Sequence, residues 1–375
     1  MTADEKLLFN VNNSPHIRDD ATTPRIMFTV CLALAPALLW AVAMFGWRAL
    51  TPIVSCVVAC VATEWLCQRW RGGKPTINDG SAVVTGLLLA AVSPADLPWW
   101  SAAIGGVFAI AIAKQAFGGL GHNIWNPALL ARAFMQTSMP ERMMGEWPGL
   151  TAIGRRWRDL LGAVSGVDAA TAVANAESVS GVDAMTAATF LERIASAEAA
   201  DFAGTAVQAP PEALTPTWAD VLMTWLGVER GSLGEVSAVL LVLGGLYLVR
   251  KKIVPWDIPF FYLIFAAVLA WVLPQPYKVG DSIAYTAWFQ GPWLMHLGAG
   301  GLMLGAFFMA TDMVTTPLTQ KGRIVFAIGC GIMTMLIRVF GGYPEGACYA
   351  ILLMNTCVPL IDSMTKPRGA GRRKA

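Results

Sequence analysis

The chain has 375 residues, of which 55% are hydrophobic and only 14% charged, with 15 Trp and a formal net charge of +2. Soluble domains carry about 25% charged residues, so this composition excludes an ordinary soluble enzyme and points to a multi-span membrane protein. A net charge this small, with no basic stripe, also excludes a nucleic-acid partner.

Residues 1–25 are polar and mixed in charge, read as a cytoplasmic N-terminal segment with no secretory signal. A spanning helix needs roughly 20 apolar residues, and about ten segments approach that length. They are 26–46, 50–67, 80–94, 99–117 and 126–139, then 232–249, 258–273, 293–311, 324–339 and 347–361. The segments 80–94 and 126–139 are short for a full crossing. Residues 26–139 therefore form a first transmembrane half and 232–365 a second, with a basic cytoplasmic tail at 366–375. Between the halves lies 140–231, an insertion rich in Ala, Ser, Thr and Asp and free of Lys. Its last part, "PTWADVLMTWLGVERGSLGE" at 216–235, reads as an interfacial helix.

Four basic clusters fall on one side of a ten-span arrangement: Arg69, Arg71 and Lys74; Arg250, Lys251 and Lys252; Lys321 and Arg323; and the tail "KPRGAGRRKA". The positive-inside rule makes that side cytoplasmic and the insertion extracytoplasmic. An odd number of spans in each half makes any internal duplication inverted. "GSAVVTGLLLAAVSP" at 80–94 resembles "GGLMLGAFFMATDMVTTP" at 300–317. "GGLGHNIWNPALLARAF" at 118–134 resembles "GGYPEGACYAILLMNT" at 341–356. The expected fold is an all-α polytopic membrane protein of two inverted five-helix halves with broken helices, plus the extracytoplasmic insertion. Broken helices near the midplane line a site or pathway, because their free backbone must be satisfied by protein or cargo. Glycine-mediated helix packing is the plainer account.

Intramembrane ionisable residues are functional candidates by default. Lys114, Arg132, Glu235, Asp257, Asp312, Arg338 and Glu345 qualify, although most lie near segment ends, where snorkelling or capping suffices. Asp312, in "MATDMVTTP", and Glu235 are the candidates for an ion pathway. His122 and His296 read as hydrogen-bonded structural residues. The seven cysteines read as small apolar packing residues, Cys56 and Cys60 sharing a helix face without completing a metal set. No metal ligands and no catalytic side chain are assigned, and neither a G-x-G-x-x-G turn after a strand nor a P-loop is present.

The most polar stretch carries "SGVDAMTAATFLERI" at 180–194, preceded by a near-copy, "VSGVDAATAVANA", at 164–176. Thr189 and Glu192 form a capping box, Thr at the N-cap and Glu three residues later. A phosphate esterified to the Thr189 hydroxyl would lie on the helix N-terminus, where free N–H groups and the helix dipole favour an anion.

"DAMTAAT", at 183–189, resembles the flavin-attachment motif Asp-x-x-Ser/Thr-x-Ala-Thr of membrane subunits in the Rnf complex and the Na⁺-pumping NADH:quinone oxidoreductase (Nqr). Asp183, Thr186, Ala188 and Thr189 fill the pattern, and Ala187 stands where the family often has Gly. The near-copy has Asp168 and Thr171 but Ala174 at the acceptor position. "SPHIRDD", "NDGSAVVTGLLLA", "GGLGHNIWNPALLARAF", "GSLGEVSA" and "FMATDMVTTP" extend the resemblance over nearly the whole chain, and its length favours the RnfD branch over the NqrB branch. The resemblance implies covalent FMN at Thr189, with Asp183 and Thr186 orienting the motif for a flavin transferase, and a non-covalent riboflavin elsewhere. It implies an electron-carrying component of an ion-translocating (Na⁺ or H⁺) ferredoxin:NAD⁺ oxidoreductase in the bacterial inner membrane. Both termini would be cytoplasmic and the flavin loop periplasmic. Partners would be the membrane, flavin-bearing and iron–sulfur subunits, with ferredoxin and NAD reached through them. A flavin-free solute channel or secondary transporter, of urea-transporter-like architecture, is the alternative.

Overall fold

The computed structural model describes residues 22–72, 77–144, 150–165, 218–227, 232–274, 276–279, 282–285, 287–341 and 346–365. The described residues open with two long apolar helices, α1 (Thr23–Phe45) and α2 (Trp47–Trp70), separated by Gly46 at φ 75°. A 3₁₀ turn at Ile77–Asp79 and a left-handed Gly80 lead into α3 (Ser81–Ala91). At 11 residues, α3 is about 16 Å long, half the thickness of a hydrocarbon core. Next, α4 (Trp99–Ile110) runs directly into a π turn, Ala111–Gln115. Asn126 caps α5 (Pro127–Ser138), its Oδ1 accepting from the N–H groups of Ala128 and Leu129 at 3.0 and 3.4 Å.

Two short helices, α6 (Pro140–Met144) and α7 (Ala152–Ser165), follow, and α8 (Trp218–Leu226) comes before the second half. That half contains α9 (Ala238–Arg250) and α10 (Asp257–Val272). It continues with an antiparallel hairpin, β1 (Pro276–Val279) with β2 (Ser282–Tyr285), then α11 (Trp293–Gly298). After α11, α12 (Leu302–Leu304) passes into a second π turn, Gly305–Met309. The long helices α13 (Gln320–Phe340) and α14 (Ala347–Thr365) end the described chain.

The fold is helical and polytopic. Among the described residues, four helices are long and apolar enough to cross a membrane: α1, α2, α13 and α14. The helical expectation stands, with one short hairpin, β1–β2, added in an inter-helix loop. One expectation needs correction: the run 293–311 is not one continuous helix. It breaks at Gly300 and Gly301, both left-handed at φ 68° and 66°, a conformation glycine adopts at no steric cost. An apolar run hides such a break, because hydropathy does not sense φ.

The packing follows membrane rules, with small residues inward and large apolar residues outward. Ala33, Ala37 and Ala41 of α1 and Cys56 and Cys60 of α2 are buried, while Phe28, Leu39, Val58 and Leu66 on the same helices are exposed. The Cys56 and Cys60 thiols donate to the Ala102 and Gly106 carbonyls of α4 at 3.7 and 3.6 Å. Glycines permit the closest approaches. A Cβ on Gly86 of α3 would lie 2.7 Å from the Val57 Cα of α2. One on Gly245 of α9 would fall on the Phe307 ring of the second π turn. Gly245→Ala should therefore destabilise the protein by about 1–3 kcal/mol through overpacking, seen as a lower thermal midpoint in detergent. An unchanged midpoint would show that Phe307 can swing away.

Candidate functional site

Asp183, Thr186 and Thr189 lie outside the described residues, but the stems of the insertion are described. The Trp157 indole N–H on α7 donates to the Leu226 carbonyl at the end of α8 at 3.3 Å, joining the two helices that flank residues 166–217. Trp157 also packs edge-on against Trp40 of α1, with ring centroids 5.4 Å apart. Before α7, the Thr151 hydroxyl and N–H donate to the Ala43 and Met44 carbonyls at 2.6 and 2.9 Å, near the end of α1. On the other side, the Trp225 indole of α8 donates to the Leu294 carbonyl of α11 at 3.1 Å. Both stems are thus fastened to the helix ends of the membrane core.

Within that core lies a charged network that the sequence shows only in part. Glu64 of α2 is 1% exposed and Lys114 of the first π turn 2%. Their charged groups meet at 2.7 Å. Lys114 also donates to the Ser81 hydroxyl at 2.6 Å, and that hydroxyl donates to Asp79 at 2.7 Å. The Gln115 amide donates to Glu64 Oε1 at 3.1 Å, and Arg71 donates to Gln115 Oε1 at 3.2 Å. The π turn makes this possible. It closes with the Ala116 N–H on the Ala111 carbonyl, five residues back. The extra residue in the turn brings consecutive Ala113, Lys114 and Gln115 all inward. Lys114 therefore does not snorkel as expected. Glu64 is absent from the sequence candidates, although a carboxylate well inside an apolar run, "VATEWLCQ", is the signal that could have found it.

A second cation serves the broken helix of the other half. Arg338, near the end of α13, donates to the carbonyls of His296, Ala299 and Gly300 at 2.5, 2.8 and 3.0 Å. These are the acceptors left open by the end of α11 and the glycine break. Arg338 is buried, not a snorkelling end residue. Asp257 is also buried and paired, its Oδ2 accepting from Arg323 at 2.9 Å. His296 is buried, and neither ring nitrogen has a hydrogen-bond partner among the described residues, which overturns its reading as a hydrogen-bonded residue. His122 is exposed, Arg132 is buried in α5, and Glu345 lies outside the described residues.

The two pathway candidates mark opposite ends of one broken helix. Glu235 Oε1 accepts from the Ser232 hydroxyl at 2.6 Å and would lie 2.9 Å from a Cβ on Gly301, just before α12. Its loop also covers the end of α3, with the Leu233 and Gly234 N–H groups on the Ser93 and Ala91 carbonyls at 3.0 and 2.6 Å. Asp312 follows the second π turn and holds a tight turn, its Oδ1 accepting from the Val314 N–H at 3.2 Å. The two are separated by the whole of α12 and the π turn and are not brought together. Near the Asp312 end, the Asn126 amide donates to the Met309 carbonyl at 3.4 Å, so the cap of α5 also touches the second π turn.

Comparison with known proteins places this geometry. The model of the NQR2, RnfD, RnfE family matches residues 10–371. The chain belongs to that family. It is 42% identical over 370 residues to the D subunit of the proton-translocating ferredoxin:NAD(+) oxidoreductase complex of Clostridium ljungdahlii, covering 99% of this chain and 98% of the relative. It is 41% identical to the Na(+)-translocating counterpart of Acetobacterium woodii, covering 98% and 97%. The D subunit of the ion-translocating oxidoreductase complex of Stutzerimonas stutzeri is 36% identical, over 94% and 93%. The expected family and branch are those found.

Proposed function

We propose that this chain is the D subunit of an ion-translocating ferredoxin:NAD⁺ oxidoreductase complex. It is a multi-pass membrane protein that works with the other subunits of that complex in electron transport coupled to ion movement. The observation that carries this reading is the end-to-end identity of 42% and 41% to two relatives bearing that name. The coupling ion is Na⁺ or H⁺, and one of those relatives is named for each. The full-length match supports this reading over a solute channel or secondary transporter.

Within this function Thr189 holds FMN through a phosphoester, with Asp183 and Thr186 presenting the motif to a flavin transferase. FMN bound there supplies one- and two-electron redox chemistry, while the protein supplies tether and position. The motif itself supports this, together with its place in an insertion whose stems are fastened side by side. A non-covalent riboflavin in the membrane half belongs to the same reading. The insertion is periplasmic, the termini are cytoplasmic and the membrane is the inner one. The basic clusters support that orientation, and the Arg323–Asp257 pair joins the start of α13 to the start of α10, beside Arg250–Lys252.

Ten membrane segments in two inverted halves complete the proposal. Pairing supports it: the first helices of the two halves, α1 and α9, pack together, and so do the last, α5 and α14. Each half has a short helix entered from a left-handed glycine, α3 from Gly80 and α12 from Gly301. Each has a buried cation at the end of the helix that follows, Lys114 after α4 and Arg338 in α13, which reaches the start of that short helix, Lys114 to Ser81 and Arg338 to Gly300. Phe-Gly-Gly follows each cation, at 117–119 and 340–342. The spacing differs by one residue, which matches the residue that the π turn inserts before Phe117.

The test is in-gel flavin fluorescence of the SDS-denatured chain, made with a flavin transferase present. A fluorescent band is expected in wild type and in Thr171→Val, and none in Thr189→Val. A wild-type chain without a band would overturn the covalent flavin.

A further inference from the structure

A groove of about 290 Å³ opens where α8 meets the end of α10 and the start of α11. Three indoles converge on it, Trp218, Trp271 and Trp293, with Val221, Pro292 and Gln290 between them. All three indoles are exposed, at 76%, 47% and 43%. Its frame is fixed by the backbone. The Gly291 N–H donates to the Trp271 carbonyl and the Phe289 N–H to the Val272 carbonyl, both at 3.2 Å, and Trp271 packs edge-on against Phe289 at 5.3 Å. The Trp225 indole ties the groove's α8 wall to α11.

Interfacial tryptophans alone would form a belt spread around the perimeter. Here three of them face one concavity, and Trp218, the first described residue after 166–217, is one of its walls. We infer that this groove is the docking site for the isoalloxazine ring of the flavin carried on Thr189, an inference that rests on the covalent-flavin reading above. A volume near 300 Å³ is at the small end of ligand sites and suits one planar tricyclic ring. Indole faces stack on such rings irrespective of substituent. The Gln290 side chain offers both a donor and an acceptor to the polar pyrimidine edge that stacking leaves free. Reach is ample. Trp218 follows Thr189 by 29 residues, a length of chain that extends to about 100 Å.

The experiment uses the full chain, produced with flavin transferase and purified, with the Thr189→Val spectrum subtracted as background. Each variant is measured twice: flavin emission and its quenching by iodide in the native state, then in-gel emission after SDS. Contact with indole quenches flavin emission, so wild type should brighten on denaturation and resist iodide beforehand. Trp218→Ala and Trp293→Ala should keep the in-gel band at full strength. In the native state they should brighten and become open to iodide, because losing one stacking face lowers the docked-to-free ratio by roughly tenfold. Trp218→Phe keeps an aromatic face and should stay close to wild type. Full-strength bands with native emission unchanged in the Ala variants would overturn the groove and leave the tether standing, with the indoles acting as an interfacial belt that lipid covers. Absence of the wild-type band would overturn the tether and the groove's occupant together.

Discussion

Lys114→Met is expected to destabilise the protein by about 3–5 kcal/mol, because it leaves a buried carboxylate without its cation. Glu64 is 1% exposed, and its Oε2 already lacks a hydrogen-bond partner among the described residues, so Oε1 carries the interaction with Lys114 and Gln115. Glu64→Leu should cost a similar amount by stranding the ammonium, which would keep the Ser81 hydroxyl but lose its counter-charge. The double variant Lys114→Met with Glu64→Leu should recover most of the loss, since apolar replacement of a buried pair is often neutral or better. Thermal unfolding followed by intrinsic Trp fluorescence, arranged as a double-mutant cycle, reads the coupling. Additive single losses in the double variant would refute it. The outcome matters beyond stability, because this network ties α2, α3 and the first π turn into one unit.

The second large effect belongs to Arg338. Arg338→Met withdraws the donor from three carbonyls at the break before α12, and stranded buried acceptors cost about 1–3 kcal/mol each. A loss of roughly 3 kcal/mol or more is expected, allowing for partial relaxation. Arg338→Lys should recover less than half of it, because an ammonium is a point charge and lacks the planar fork that spans separate carbonyls. Faster amide hydrogen exchange through residues 301–310 would locate the damage at the broken helix. If Arg338→Lys matched wild type in stability and exchange, the fork geometry would be irrelevant and the role would be charge alone.

Much of this protein is legible along the chain. Hydropathy marks the long helices α1, α2, α13 and α14 to within a few residues, because lipid-facing surface must be apolar over a whole crossing. The two segments that are short along the chain, 80–94 and 126–139, hold the short helices α3 and α5. Motif order along the whole chain points to the family matched over residues 10–371. The motif proposed for flavin attachment at 183–189 is a purely local signal, legible without the fold. The sequence by itself therefore determined the class, the branch of the family and the residue proposed to carry the flavin.

Tertiary structure decided what becomes of the charges and where helices break. Glu64 and Lys114 lie 50 residues apart, and nothing local marks them as partners. Only the packing of α2 on α4 and the added residue of a π turn bring them within 2.7 Å. Arg338 reads along the chain as an end residue able to snorkel, yet the helix end of α11 comes to it and takes its donors. The break at Gly300–Gly301 is invisible to hydropathy because both arms are apolar. The gathering of Trp218, Trp271 and Trp293 in one groove unites residues from three separate stretches of chain. Apart from that break, which is set by local φ, the deciding quantity is a distance between segments separated in sequence. Lipid selects composition one segment at a time, but buried polar groups must find each other across segments, and only the folded arrangement determines which ones do.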